Sequence, residues 1–200
     1  GLGDVYKRQV QKALAKLSSA RIGAICPLHG LVWRSDPARV IGLYDRWSRY
    51  EADDAAVVIY ASMYGNTAQM ADHIARRIAE AGVRDIRVYD VSKTHVSYLI
   101  SEIWRCRGVL LGSCAYNTQM FPLMENLTRD LLHAGPKDRL LGVFGTYSWN
   151  GGGVKNLNAF AEQIGWETVA PSAEILGRPT CEKYAACDVL ADAMACRLKK

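Results

Sequence analysis

The 200-residue sequence holds six cysteines but no Cys-x-x-Cys pair. Cys26, Cys106, Cys114, Cys181, Cys187 and Cys196 therefore encode neither a zinc ribbon nor an iron site of the paired-cysteine type. Half the residues are hydrophobic, so a sizeable core can form without covalent staples. The six read as reduced thiols of a cytoplasmic protein. No apolar run approaches the roughly 20 residues of a membrane span, and the start has no signal-peptide character. No membrane partner is expected. The net charge is only +5. Its basic residues are scattered, as in Arg76-Arg77 and Arg105-Cys106-Arg107, with no basic run or aromatic-interleaved stripe. That argues against a nucleic-acid partner. Gly-x-Gly-x-x-Gly and Gly-x-x-x-x-Gly-Lys-Ser/Thr are both missing around the first strand-to-helix loop.

The length suits one full domain plus an extra segment. Residues 1–9 show no clear periodicity and resemble translated adapter read-through. They are set aside as an expected non-native scar, a reading that would make the chain a fragment whose upstream part is missing. Residues 10–50 carry two helical stretches, Val10–Leu17 and one opening at Asp36-Pro37 and running through Trp47. An acidic residue followed by proline is a helix start signal. Residues 51–54, Glu-Ala-Asp-Asp, read as a linker. From residue 55 to 200 strands and helices alternate. Strands are expected at Ala56–Tyr60, Ile86–Val91, Gly108–Gly112, Leu140–Gly145 and Thr168–Ile175. Helices are expected at Thr67–Ala81, Ser97–Arg105, Phe121–Leu132, Val154–Ile164 and Cys181–Leu198. Five such units imply a doubly wound parallel sheet covered on both faces, with ligands held beyond the carboxyl ends of its strands.

Three loops at that end carry chemistry. The first is Ser62-Met63-Tyr64-Gly65-Asn66-Thr67, between a charge-free β-branched run and a helix whose Met70, Ile74 and Ile78 recur at spacing four. Hydroxyls of Ser62 and Thr67, the Asn66 amide and the unpaired N–H groups of the helix start make a nest for a phosphate. The competing reading is a helix that caps itself with Asn66 or Thr67. The second loop holds Ser113, Cys114, Ala115, Tyr116 and Asn117. The third holds Thr146, Tyr147, Ser148, Trp149, Gly151 and Gly152. Tyr116 and Trp149 could flank a flat ring, hydroxyl and backbone groups could meet its polar edge, and the glycines could admit main chain beside it. Alternatively, the aromatics fold back and anchor their own loops.

A hydroxyl-rich, cation-free loop after the first strand resembles the loop with which flavodoxins hold the phosphate of FMN. The motifs Cys26-Pro27-Leu28-His29-Gly30, Trp33-Arg34, Asp36-Pro37, Tyr44 and Trp47-Ser48 make the resemblance narrower. So do Tyr89-Asp90-Val91-Ser92-Lys93-Thr94, Gly112-Ser113, Tyr116-Asn117, Met120-Phe121-Pro122 and Trp149. From about residue 12 onward the chain resembles the C-terminal part of flavodiiron proteins. The resemblance implies an α/β, flavodoxin-like, doubly wound five-stranded parallel sheet at 55–200, preceded at 10–50 by a helical remnant of a metallo-β-lactamase-like domain. It implies FMN as cofactor, a di-iron centre only in the intact parent, and reduction of nitric oxide or oxygen by that parent. It further implies rubredoxin or a flavin reductase as electron donor and a head-to-tail homodimer of the intact protein. His29 occupies the position of a family iron ligand. His73, His95 and His133 cannot complete the set, so His29 is a single orphan ligand and no tight iron binding is expected. No catalytic residue is named.

Two positions depart from the family pattern. Cys114-Ala115 stands where Pro-Thr is usual, and Ser148 where glycine is common. The alternatives are a stand-alone flavodoxin, a flavodoxin-like quinone reductase, or a truncated product with no activity. A receiver domain would need an acidic pair after the first strand and an aspartate after the third. Ser62-Met63 and Gly112-Ser113-Cys114 stand there instead.

Overall fold

The computed structural model describes residues 2–199, with side chains from Lys7 onward. The chain divides into two compact units between Glu51 and Ala52. In the first, α1 spans Leu2–Leu17 and α2 spans Pro37–Ser48. Asp36 caps α2 by accepting the Arg39 N–H at 3.0 Å, with Pro37 at the first helical position. Gln11 ties the two helices through Asp45 Oδ1 at 3.0 Å. Between them, Ile25 and Trp33 form an isolated antiparallel bridge. Helix α1 extends into the opening stretch set aside for want of periodicity. A proline-free run of ordinary helix formers needs no amphipathic repeat to hold backbone i to i−4 bonds. Gly1 lies outside the described residues.

The second unit runs β1 (Asp53–Ala61), α3 (Asn66–Glu80), β2 (Ile86–Asp90), α4 (Val96–Arg105), β3 (Cys106–Tyr116) and β4 (Gln119–Met120). It continues with α5 (Pro122–Ala134), β5 (Leu140–Tyr147), α6 (Gly153–Ile164), β6 (Glu167–Thr168), β7 (Ala173–Leu176) and α7 (Ala185–Leu198), the last preceded by a 3₁₀ turn at Cys181–Tyr184. The sheet order is β2-β1-β3-β5-β6, with β7 also on β5 and β4 on β3. All pairings are parallel except β3 with β4. This is the doubly wound order, and the chain reverses direction across the sheet between β1 and β3.

Burial alternates along the central strands. Val57, Ile59, Val109, Leu111 and Val143 belong to the cluster that includes Leu99, Ile103, Met124, Leu127 and Leu157 of α4, α5 and α6. Ala56, Val58, Leu110 and Phe144 join Met70, Ile74, Ile78, Leu190 and Met194 of α3 and α7. Both faces are covered, which is why these strands read as unbroken apolar runs rather than alternating ones.

Three sequence expectations need correction. Asp53 and Asp54, read as linker, begin β1, because Asp53 pairs with Cys106 in register and Asp54 meets Arg107 of β3 at 3.3 Å. The expected last strand is two strands. β6 pairs with Leu140–Leu141 and β7 with Phe144–Tyr147, and Pro171 in the gap has no N–H to give the ladder. The sheet also gains β4, which folds back on Ala115 and Tyr116.

Candidate functional site

The loop after β1 turns into α3 at Gly65, whose φ of 83° places it in the left-handed region that glycine tolerates without cost. Gly65 is the N-cap residue, and no side chain caps the helix. Neither Asn66 nor Thr67 therefore serves as the cap. The first intrahelical bond runs from Gln69 N–H to Gly65 O at 3.0 Å, leaving the N–H groups before it directed at the loop.

Beyond the carboxyl ends of β1, β3 and β5 lies an open cavity of about 440 Å³. Ser62, Met63, Tyr64 and Asn66 line it from the first loop. Cys114, Ala115, Tyr116, Asn117 and Thr118 line it from the second, and Thr146, Tyr147, Ser148, Trp149 and Asn150 from the third. Twelve of the residues singled out from sequence thus meet at one place. Thr118 and Asn150 were not among them; each is a polar residue directly following a named one, and that adjacency was the available signal. No lysine or arginine is in the lining. Trp149 is 91% exposed and Tyr116 41% exposed, so neither is folded away into the sheet. Tyr116 rests edge-on against Phe121, with ring centroids 6.1 Å apart.

The geometry of the second loop comes from a tight hairpin. Ala115 pairs with Met120 and Tyr116 with Gln119, and the two residues between them, Asn117 and Thr118, have φ of 48° and 59°. Positive φ at both central positions is the type I′ turn that matches strand twist. Asparagine suits it; a β-branched threonine there is strained.

Gly65, Thr67, Ser113, Gly151 and Gly152 do not line the cavity. Ser113 is fully buried, donating to Cys114 O at 2.8 Å and accepting the Phe121 N–H at 2.9 Å, so it braces the hairpin rather than facing a ligand. A Cβ on Gly152 would sit 2.2 Å from Thr118 O. The close backbone approach it permits is therefore between the second and third loops. Gly151 lies against Glu174, whose Oε1 would be 3.0 Å from an added Cβ. Thr67 is fully buried, and its Oγ1 lies 2.8 Å from Oγ1 of Thr146. Burial raises the Cys114 thiol pKa, opposed in part by the Met63 backbone N–H.

His29 sits exposed in the first unit, beside Gly30 at φ 116°. Among the described residues no three histidine, cysteine or carboxylate side chains converge as a metal site. His73 hydrogen-bonds Asp188 at 2.8 Å and stacks on Tyr184 at 4.0 Å. His95 caps α4, accepting the Ser97 N–H at 3.3 Å.

The family model for flavodoxin matches residues 58–187. The chain belongs to the flavodoxin family. This flavodoxin-type chain is 32% identical over 149 residues to the anaerobic nitric oxide reductase flavorubredoxin of Pectobacterium carotovorum subsp. carotovorum, covering 74% of this chain and 29% of that protein. Among solved structures it is similar to the rubredoxin oxygen:oxidoreductase of Desulfovibrio gigas. The TM-score is 0.88 with 25% identity, over 97% of this chain and 49% of the other. The flavodiiron protein of Giardia intestinalis shares the fold, with a TM-score of 0.86, 21% identity, and 98% and 50% coverage. The chain spans under a third of the curated relatives it matches and about half of these solved ones. It is homologous to flavodiiron proteins and matches only their C-terminal part.

Proposed function

We propose that residues 55–200 hold FMN without a covalent bond in the 440 Å³ cavity and serve as the electron-transfer domain of a flavodiiron protein. One observation carries this reading. A cation-free donor loop and two exposed aromatics face a single cavity at the switch point of a flavodoxin sheet.

The chemistry of the lining fits the group. Ser62, Asn66 and the uncapped N–H groups of α3 are donors suited to a phosphate, aided by the positive end of the helix dipole. Tyr116 and Trp149 offer flat apolar surface to a ring. Thr146 and Ser148 supply hydroxyls, and Asn117 an amide, for polar atoms. Bound FMN would supply the one-electron transfer. The protein's part is to bind and orient, and the aromatics would keep water from the ring. Ser113 braces the hairpin of the second loop, and Gly152 lets the second and third loops approach each other.

Further parts of the reading rest on the resemblance to flavodiiron proteins. Residues 10–50 would close a metallo-β-lactamase-like domain, with His29 one ligand of a di-iron centre completed by residues outside this chain. The intact protein would reduce nitric oxide or oxygen, take electrons from rubredoxin or a flavin reductase, and work as a head-to-tail dimer. The coverage of half the Desulfovibrio gigas protein, running through residues 10–50, supports this.

The test is addition of FMN to the purified protein, followed by gel filtration and a visible spectrum. A yellow protein with one FMN per chain is expected; a colourless one overturns the proposal. Steady turnover of quinone with a nicotinamide cofactor would favour the quinone-reductase alternative.

A further inference from the structure

The β3–β4 hairpin that brings Tyr116 and Asn117 to the cavity is too small to hold itself. It has two residue pairs, Ala115 with Met120 and Tyr116 with Gln119. Even a longer two-stranded hairpin is marginal in water. The turn adds a cost, because Thr118 keeps a β-branched side chain at a φ of 59°. Such a residue persists only where its surroundings over-determine it. At the root of the hairpin those surroundings are Ser113, whose Oγ accepts the Phe121 N–H at 2.9 Å, and the core that buries Met120. The tip needs its own anchor, and the first turn of α6 supplies two contacts. Gly152 lies so close that an added Cβ would sit 2.2 Å from the Thr118 carbonyl oxygen. One turn on, Asn156 donates from Nδ2 to Oε1 of Gln119. The Asn156 N–H bonds to Gly152 O at 2.9 Å, so a single helical turn holds both contacts at a fixed spacing. Neither Gln119 nor Asn156 lines the cavity.

We propose that Gln119 and Asn156 form a latch that closes the strained hairpin onto α6. Both are positioning residues, and they act through the hairpin on Tyr116 and Asn117. The latch sets this wall of the cavity before a ligand arrives, so that binding has less freedom to remove. What the wall receives rests on the flavin reading above; the latch can be observed without any ligand.

The experiment has two arms, run on wild type, Gln119→Leu, Asn156→Leu and the double variant, with Gln119→Glu as the conservative control. In the first, amide hydrogen exchange without flavin is followed across Ala115–Met120. Each leucine variant should exchange there about fivefold faster, the scale of one neutral hydrogen bond, with the strands of the sheet unchanged. In the second, riboflavin and FMN affinities are read from quenching of flavin fluorescence. Each leucine variant should bind riboflavin about fivefold more weakly, and the double variant no more weakly than either, because the two amides act as one unit. Gln119→Glu keeps the accepting oxygen and should bind riboflavin as wild type does, since that ligand has no phosphate for the new charge to repel. Thr118→Gly relieves the turn, since Asn-Gly suits it without strain. In that background the hairpin stays closed unaided, and Asn156→Leu should cost less than about twofold. Unchanged exchange in the hairpin overturns the latch, as do single losses that multiply to about 25-fold in the double variant. A full loss retained in the Thr118→Gly background overturns it too. If Asn156→Leu fails to fold, Asn156→Ala takes its place, judged by the same outcomes. Faster exchange in a protein that binds no flavin overturns the flavin reading and supports the latch, whereas unchanged exchange in a flavin-binding protein overturns the latch alone.

Discussion

On the proposed flavin reading Ser62 belongs to the phosphate end of the site, because it is the aliphatic hydroxyl of the first loop that lines the cavity. A hydrogen bond to a charged group contributes about 1.5–3 kcal/mol. Ser62→Ala is therefore expected to weaken FMN at least about tenfold and to leave riboflavin affinity unchanged. Fluorescence titration with both ligands checks this. The cysteines offer a second reading at the same scale. Cys26, Cys181 and Cys196 are exposed, whereas burial pushes the thiols of Cys106 and Cys187 up to about 12. Three thiols should react quickly with an aromatic disulfide reagent at neutral pH, while Cys106 and Cys187 wait for unfolding. Cys114 should react slowly, and more slowly still with FMN present, because its cavity-facing side is then covered. Mass mapping of the labelled protein distinguishes the three groups. The sequence named Ser62 and Cys114 but could not rank them against Ser113 and Thr67. All four carry small polar side chains in the right loops, and only burial shows which two reach the cavity wall.

Between elements, the least expected contact is a buried cation. Arg139, just before β5, is 1% exposed and donates to Ile103 O at 2.9 Å and Trp104 O at 2.7 Å, two carbonyls of the last turn of α4. A positive charge there complements the negative end of the helix dipole, and the guanidinium carbon lies 5.9 Å over the Trp104 ring. Burial pushes its pKa down to about 10, so it remains charged at neutral pH. Arg139→Met should destabilise the fold by about 3 kcal/mol, read from urea denaturation. Lysine should not restore it, since a single ammonium cannot reproduce the planar fork.

A more exposed link joins the start of β2 to the junction of α4 and β3. Arg105 donates to Asp85 at 2.5 Å and to Glu102 at 2.8 Å. The hydrogen bond from Arg105 holds the Asp85 carboxyl below its ordinary range, against the opposing effect of partial burial. A carboxylate with a lowered folded pKa adds stability above its unfolded pKa of about 4 and loses that contribution as pH falls through the folded one. Asp85→Asn should therefore be less stable at pH 7 and show a shallower acid limb in pH-dependent melts. The effect is small, because the side chain is 43% exposed and solvent screens the pair. Neither arginine contact could be read from the sequence. Asp85 and Arg105 are 20 residues apart and Arg139 follows a loop, so their meeting depends on how strands align.

At the scale of the molecule, contacts divide at Glu51 and Ala52, and β1 starts one residue later. The second unit contains its own sheet, both hydrophobic clusters and the whole cavity. A chain beginning at Ala52 is expected to melt cooperatively and to bind FMN within about threefold of the full-length chain, a difference of roughly 0.6 kcal/mol. Calorimetry and fluorescence titration check the two halves of that statement.

The strand–helix alternation and the three site loops were legible because central parallel strands are buried on both faces and produce continuous apolar runs. Composition and periodicity by themselves therefore determined the fold class, and the spacing of loops along the chain determined which loops stand together. Tertiary structure alone decided the rest. It broke the last strand at Pro171, folded Asn117-Thr118 into a hairpin turn, and turned Thr67 and Ser113 into the interior while leaving Trp149 in the open. The reason is physical. A repeat pattern records which face of an element is buried, but whether one loop hydroxyl meets a ligand or a neighbouring strand depends on distances set by residues far away in sequence.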